Sequence, residues 1–315
     1  MRVVATSLLY HFVPAAKEKL LEKYPDAKLR DNIQELEPDE LIAFCRGYDA
    51  ALISLERFDG YVLSNLPDLK VIGMTTAGVD HMYPEALKKH GVRVGWFAGV
   101  NRVAVAEMTI SQMIDVLRNL QRLSIKTHKG EWPNLRRGVR LEGRTVGIHG
   151  CGNIGKEVAK RLVPFNVTLL ACDREDYSEF YAQHGIEAVG PEELWSRSDI
   201  VTIHLPLNST TRGLYSAEVL DKLKPGAYFI NLARGHIVDE DALKSRLESG
   251  QIAGAAFDVF AVEPAHDHPL FALKNFIATP HCGSGTLEDY LAMAEAGIRA
   301  LEENRVPEPG EYPFN

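Results

Sequence analysis

The chain is predicted to be an α/β protein of two domains, each built on a parallel sheet. Three observations predict this. Strand-like and helix-like segments alternate along almost all of its 315 residues, the pattern of parallel strands joined by crossover helices. A β-branched run at mid-chain, TVGIHGCGNIG from Thr145 to Gly155, opens into a glycine turn and then an amphipathic helix. The length itself suits two domains of ordinary size.

The elements follow in order. VVATSLL reads as a first buried strand; no small-residue cleavage site precedes the charged KEKLLEKY, so this start is not read as a signal peptide. Helices are expected at Ala15–Tyr24 and Pro38–Cys45, and strands at Ala50–Ser54, Leu69–Thr75 and Val92–Trp96. Asn101–Gln121, free of proline and glycine, repeats apolar residues at helical spacing and reads as one long helix. Its apolar residues fall on more than one face, which suits burial against both the domain and a second copy, so a homodimer is expected. The polar stretch from Gly130 to Gly143 reads as a linker. Further strands are expected at Ile200–His204, Tyr228–Leu232, Ala255–Val259 and Phe276–Thr279, then an amphipathic helix at Leu287–Asn304 and a proline-broken tail, VPEPGEYPFN.

Composition excludes several classes of function. Hydrophobic residues make up 45% and charged residues 25%, as in ordinary globular proteins. The net charge is −8 and no Lys/Arg block stands out, so nucleic acid is not expected as the partner. No apolar run approaches the ~18 residues of a membrane span. Cys45, Cys151, Cys172 and Cys282 are scattered without CxxC spacing, and read as reduced, mostly buried thiols of a cytoplasmic protein.

The glycine turn is the most specific local signal. Gly150 permits the tight turn, Gly152 lets the backbone approach a pyrophosphate, and Gly155 lets the helix pack on its strand. Asn153, Ile154 and Gly155 open the helix, where amide groups and the dipole favour phosphate. LLACD ends on Asp173, eighteen residues after Gly155, near the ~20 expected for an acid that binds ribose hydroxyls. These features predict a Rossmann-type dinucleotide-binding domain at 98–283. Residues 1–97 with 284–315 would form a smaller substrate domain, leaving a cleft between the two.

Three polar residues end strands of the dinucleotide domain: Arg234 in NLARG, Glu263 in DVFAVEP and His281 in TPHCG. A guanidinium can hold a carboxylate through two parallel hydrogen bonds. An imidazole, with an ordinary pKa of about 6.5, can move a proton to or from a hydroxyl. A neighbouring carboxylate would fix the orientation of that ring. Carboxylate clamp, acid–base pair and hydride carrier together describe 2-hydroxy acid chemistry.

Over essentially its whole length the chain resembles the D-isomer-specific 2-hydroxyacid dehydrogenases. The segments that carry the resemblance include TTAGVDHM (75–82), NRVAVAEMTI (101–110), GIHGCGNIGKEVAKRL (147–162), DIVTIHLPLNSTTRGL (199–214), LKPGAYFINLARGHIVDEDAL (223–243), GQIAGAAFDVFAVEP (250–264) and HPLFALKNFIATPHCGSGT (268–286). The resemblance implies NAD as cofactor, a 2-hydroxy or 2-keto acid as substrate, a flavodoxin-like substrate domain and a homodimer. It implies that Arg234 binds the substrate carboxylate, that His281 is the acid–base and that Glu263 pairs with it. Thr76, Ala77 and Gly78 match a second carboxylate-binding element. His204, Pro206 and Thr211 match a loop near the nicotinamide and its ribose, and Asp258 an aspartate that contacts the nicotinamide amide. Leu232, Ala233 and Gly283 are placed beside the cofactor on the same basis.

Each of these residues also has a plainer reading. Arg234 could serve a surface ion pair, Glu263 begin a turn before Pro264, His281 be a satisfied structural histidine, and Asp258 a strand-end cap. His266 and His268 read as exposed loop residues, since no third metal ligand is evident. His149 reads as a core residue. No base is evident beside Cys151 or Cys282, so neither thiol is given a catalytic role. Asp173 would repel the 2′-phosphate of NADP, although Arg174 beside it offers a countercharge. Glu263 argues against formate dehydrogenase relatives, which carry glutamine there. Phosphoglycerate is an alternative substrate, with Arg57 as a loosely matched phosphate ligand, although those relatives often extend into a regulatory domain beyond the equivalent of Asn315. An NAD(H)-binding corepressor-like protein is the non-catalytic alternative.

Overall fold

Short, β-branched and wholly apolar runs supply the strands, and their burial on both faces is what a parallel sheet requires. The computed structural model describes residues 1–134, 138–311 and 314. Parts of the expected linker (135–137) and tail (312, 313 and 315) lie outside them. The chain divides into two units, Met1–Asn101 with Gly285–Asn315, and Arg102–Ser284.

The first unit holds β1 (Val3–Ala5), β2 (Lys28–Leu29), β3 (Ala50–Ile53), β4 (Val71–Met74) and β5 (Arg93–Gly95) in the order β2-β1-β3-β4-β5, all parallel. That is the flavodoxin-like order. The expected strand over VVATSLL stops at Ala5. The amides of Thr6 and Ser7 both turn to the Leu52 carbonyl, the Ser7 hydroxyl meets Ser54 and Thr75, and Leu9–Phe12 is already helical. Serine and threonine side chains compete with the ladder in this way. The edge strand β2, with its two residues, is too short to show alternation in sequence.

The helix Leu287–Ala300, capped by the Thr286 hydroxyl, lies directly on β4 and β5. A Cβ on Gly73 would stand 2.5 Å from the Gly297 carbonyl oxygen, and one on Gly95 2.1 Å from that of Ala300. Glycine is therefore what brings this last helix against the first sheet.

The second unit holds β6 (Thr145–His149), β7 (Thr168–Cys172), β8 (Ile186–Ala188), β9 (Ile200–Ile203), β10 (Ala227–Asn231), β11 (Ile252–Phe257) and β12 (Phe276–Ala278). They form one parallel sheet in the order β12-β11-β10-β9-β6-β7-β8. Strand order reverses between β6 and β9, which is the switch point of a doubly wound nucleotide-binding sheet. β8, three residues at an edge, is not legible from periodicity.

The expected unbroken helix from Asn101 to Gln121 is two helices, Arg102–Arg118 and Leu120–His128. Asn119 adopts a left-handed conformation, φ 54°, and the Asp115 carboxylate accepts from the Gln121 amide across the break. Asparagine is among the few residues that enter this region readily. The first helix buries Ala106, Met113 and Leu117 under the sheet, whereas no residue of the second is buried.

Gly95→Ala is expected to destabilise the first unit by roughly 1–3 kcal/mol, the usual cost of forcing atoms into a packed contact. Urea denaturation reads this as a lower midpoint, and an unchanged midpoint would contradict the backbone contact with Ala300.

Candidate active site

Each glycine of the fingerprint has a separate reason to be glycine. Gly150 has φ 93°, and a Cβ there would sit 2.8 Å from the His204 carbonyl carbon, where β6 and β9 separate. A Cβ on Gly155 would sit 2.2 Å from the Gly150 carbonyl oxygen, so the helix Asn153–Leu162 is drawn against its own turn. Gly152 is different: a Cβ there would meet nothing of the protein within 4 Å. No side chain caps the helix that begins beside it. An open glycine next to an uncapped helix N-terminus fits the approach of a pyrophosphate.

Asp173, directly after β7, is held for the same site. Its carboxylate accepts from the Cys151 amide at 2.5 Å and from the Glu175 amide at 3.0 Å. Arg174 points to Glu175, 3.2 Å away, and is exposed. The residues present therefore fit a dinucleotide: a cradle without side chains, free helix amides and a fixed acid for ribose.

β10, β11 and β12 are neighbours, and their carboxyl ends carry the three polar residues. After β10, the Asn231 carboxamide accepts from the Ala233 amide at 3.0 Å and donates to the Arg234 carbonyl at 3.0 Å. This side-chain turn shapes the NLARG loop, and nothing in the sequence singles out Asn231 for it. A Cβ on Gly235 would fall 1.9 Å from the Phe260 carbonyl carbon. The Arg234 loop and the loop that carries Glu263 are thus in backbone contact. The Arg234 Nη1 donates to the Ala233 carbonyl at 2.7 Å. Leu232 and Ala233 are core residues.

After β11, Asp258 is 1% exposed and accepts three hydrogen bonds at close range. They come from the Thr279 hydroxyl at 2.6 Å, the Cys282 amide at 3.0 Å and the Gly283 amide at 2.8 Å. Its own carbonyl accepts from the His281 amide at 2.8 Å. Gln112, from the helix Arg102–Arg118, donates to Thr279 at 2.8 Å and extends the chain. These contacts hold His281 at φ 50°, a conformation few side chains adopt. Neither Thr279 nor Gln112 stands out in sequence, since a lone polar residue in an apolar helix carries no marker of its partner.

The side chains then meet. His281 Nδ1 lies 2.6 Å from Glu263 Oε2, and Glu263 Oε1 accepts from the Phe260 amide at 2.8 Å. Partial burial pushes the Glu263 carboxyl up. The hydrogen bonds from His281 and Phe260, with the charges of His281 and Arg234, outweigh it, and its pKa lies below the usual glutamate value. An ionised Glu263 accepts, so the proton between the two sits on Nδ1 and His281 Nε2 is left for other work.

Elsewhere the expected residues are sorted by burial. The His204 imidazole is pushed down to about 3 by burial, with Nε2 on the Thr202 hydroxyl at 3.0 Å. The Thr211 hydroxyl donates to the Pro206 carbonyl at 2.6 Å, closing the loop after β9. His149 is a core residue with Nδ1 2.8 Å from the Tyr215 hydroxyl, and burial holds it at about 4. Burial raises the Cys151 thiol to about 11 and also raises that of Cys282, the one exposed cysteine of the four. His268 corrects the expectation of an exposed loop residue. It is half-buried between the rings of Phe260 and Phe271, with Nε2 3.1 Å from Glu240 and Nδ1 accepting from the Leu270 amide. Among the described residues no cluster of His, Cys, Asp or Glu could hold a metal, and no helix is long and apolar enough to cross a membrane.

In the first unit, the Thr76 hydroxyl donates to the Gly78 carbonyl and the Trp96 indole to that of Ala77, both at 2.8 Å. The loop expected to bind carboxylate is thereby pinned at both ends.

A doubly wound domain with an open glycine cradle, beside a histidine–carboxylate pair and an arginine, defines a dinucleotide-dependent oxidoreductase. The model of the D-isomer specific 2-hydroxyacid dehydrogenase NAD binding domain matches residues 110–283, and the chain belongs to that family. A glyoxylate reductase of Thermofilum pendens is 38% identical over 278 residues, covering 84% of this chain and 80% of the relative. A D-3-phosphoglycerate dehydrogenase of Methanocaldococcus jannaschii is 33% identical over 300 residues, 94% of this chain and 56% of its own length. The chain thus spans about half the length of the phosphoglycerate dehydrogenases it matches. The crystal structure of the TT0316 protein from Thermus thermophilus superposes with a TM-score of 0.87 at 32% identity, covering 99% of this chain and all (100%) of that one.

The depressed Glu263 carboxyl makes a prediction about stability. Its folded pKa lies below the unfolded one, so its contribution is complete above the usual glutamate value of about 4.3 and is lost as the pH falls through the lower folded value. The stability difference between wild type and Glu263→Gln should be constant near neutrality and shrink as pH drops below about 4. Urea midpoints measured across that range test it; a gap that widens toward acid would reverse the assignment.

Proposed function

We propose that the protein interconverts a 2-keto acid and the corresponding D-2-hydroxy acid with NAD(H), and that Arg234, Glu263 and His281 carry the reaction. The observation that supports this best is the 2.6 Å contact between His281 Nδ1 and an ionised Glu263, in a loop held by Asp258. Bound NAD(H) supplies the hydride. Arg234 holds the substrate carboxylate, with Thr76, Ala77 and Gly78 as further donors to it. His281 Nε2 gives a proton to the keto oxygen during reduction and takes it back during oxidation. Glu263 fixes the ring and stabilises its charged form, so reduction requires His281 protonated and oxidation requires it neutral. Asp173 receives the adenosine ribose hydroxyls, and its charge disfavours a 2′-phosphate. Gly150, Gly152, Asn153, Ile154 and Gly155 form the phosphate site, and His204, Pro206, Thr211, Leu232, Ala233, Asp258 and Gly283 lie along the nicotinamide half.

A homodimer and a cytoplasmic setting complete this reading. Leu120 and Ile125 are 45% and 50% exposed on a helix that buries nothing of its own, a face a second copy would cover. The four free thiols suit a reducing compartment.

His281→Ala should lower turnover by about 10²–10⁴, the usual worth of general acid–base catalysis, while leaving NADH binding intact. A steady-state assay with 2-keto acids measures it, and near-native turnover would remove His281 from the reaction. NADH should be strongly preferred over NADPH, and the preference should weaken in Asp173→Ala. Equal use of the two cofactors by the wild type would show that Arg174 has taken the phosphate instead.

A further inference from the structure

We infer that the carboxyl edge of the five-stranded sheet holds a second anion subsite, with Arg30 as its cation, which receives a remote carboxylate of the substrate. The inference rests on the 2-keto acid reading above, and within it on the Thr76–Gly78 loop as a carboxylate-binding element.

Arg30 directly follows β2, where its amide donates to the Ala5 carbonyl at 3.1 Å. Its side chain is 6% exposed, and Nη1 lies 3.6 Å from Glu56 Oε1. Glu56 stands just beyond β3, and β1 intervenes between β2 and β3. The guanidinium therefore crosses the end of β1 toward β3 and β4. Three strand spacings separate β2 from β4, about 14 Å at ~4.8 Å each, and the side chain's reach spans part of that. What remains between Arg30 and the Thr76–Gly78 loop after β4 suits a small dicarboxylic acid.

The guanidinium is only partly used. Nε and Nη2 are buried without a hydrogen-bond partner. Together they form the edge whose two parallel N–H groups match the two oxygens of a carboxylate. Glu56 does not satisfy them: its Oε2 accepts from the Ser54 amide at 2.7 Å, and its Oε1 stays beyond hydrogen-bond distance of Nη1. Its charge nevertheless offsets part of that of Arg30, which favours a singly charged carboxylate over a phosphate dianion. Between Arg30 and Thr76 the strand ends are lined with hydroxyls. Ser7, Ser54 and Thr75 form a triangle with sides of 2.8, 2.8 and 2.9 Å. Arg57 plays no such part, because it is exposed, with its guanidinium 5.9 Å from the centre of the Tyr83 ring. The substrate class this assigns is a 2-keto acid bearing a second carboxylate.

Reduction of oxaloacetate and 2-oxoglutarate is compared with that of pyruvate and 2-oxobutyrate in wild type, Arg30→Met and Arg30→Lys, alongside melting temperatures with succinate or butyrate. The wild type should favour the dicarboxylates in kcat/KM by about tenfold or more, as sites built to pair a polar group do. That ratio should collapse in Arg30→Met, chiefly through KM, and fall partway in Arg30→Lys, which keeps the charge and loses the fork. Succinate should raise the wild-type melting temperature more than butyrate does, and this difference should vanish in Arg30→Met. If Arg30→Met does not fold, the ratio in Arg30→Lys decides. Reduction of 2-keto acids with no dicarboxylate preference, or with a preference unchanged in both variants, overturns the subsite and leaves the dehydrogenase reading standing. Succinate protection that depends on Arg30, with no 2-keto acid reduced, overturns the dehydrogenase reading and leaves the anion site.

Discussion

The carboxylate of Asp258 is the point on which the candidate site turns. Buried at the end of β11, it would be costly to leave unpaired, and the protein pairs it entirely with the segment that follows β12. A hydroxyl and two amides of residues 279–283 converge on its two oxygens, while its own carbonyl takes the amide of His281. The left-handed backbone of His281 is tolerable because these bonds over-determine it. An acid that resemblance alone would assign to the cofactor is thus committed first to positioning the imidazole.

Neighbouring strands convert this local anchoring into a shared site. β10, β11 and β12 lie side by side in register, so the loops that leave their carboxyl ends start about 5 Å apart. Gly235 removes the remaining gap on one side, because any side chain there would collide with the Phe260–Ala261 backbone. On the other side the His281–Glu263 bond closes it. Three residues far apart in sequence are brought to one place by strand order, one missing Cβ and one buried acid.

Much of this is legible in the sequence, and for identifiable reasons. The glycine turn announces itself because each glycine answers a steric demand that no other residue meets. Arg234, Glu263 and His281 can be found because each follows a strongly apolar strand in a parallel sheet, where ligands collect. The contacts that hold them are not legible. Asn231 reads as the last residue of a strand, Thr279 as part of another, and Gln112 as one polar position in a helix. Their partners lie 3, 21 and 167 residues away, and hydrophobic periodicity carries no information about such pairs. The break at Asn119 escapes for a related reason: the apolar repeat continues through it, and only the backbone angle and the Asp115 bond record the change of direction.

The histidines show how the same side chain is sorted by its surroundings. His149 and His204 also stand at strand ends of this sheet, close to the glycine turn, and a residue-type argument would admit either as an acid–base. Both are buried, and both are held neutral near physiological pH, at about 4 and about 3. His149 bonds to Tyr215 and His204 to Thr202, neither of which can stabilise a charged ring as a carboxylate does. His268 does face a carboxylate, Glu240, but it is packed between two phenylalanine rings and its other nitrogen accepts a backbone amide. His281 combines what the others lack separately: an ionised partner on Nδ1, a side chain 46% exposed, and a backbone locked by Asp258. A group that must exchange a proton with a bound molecule needs all three, which is why burial and partners, more than residue type, single it out.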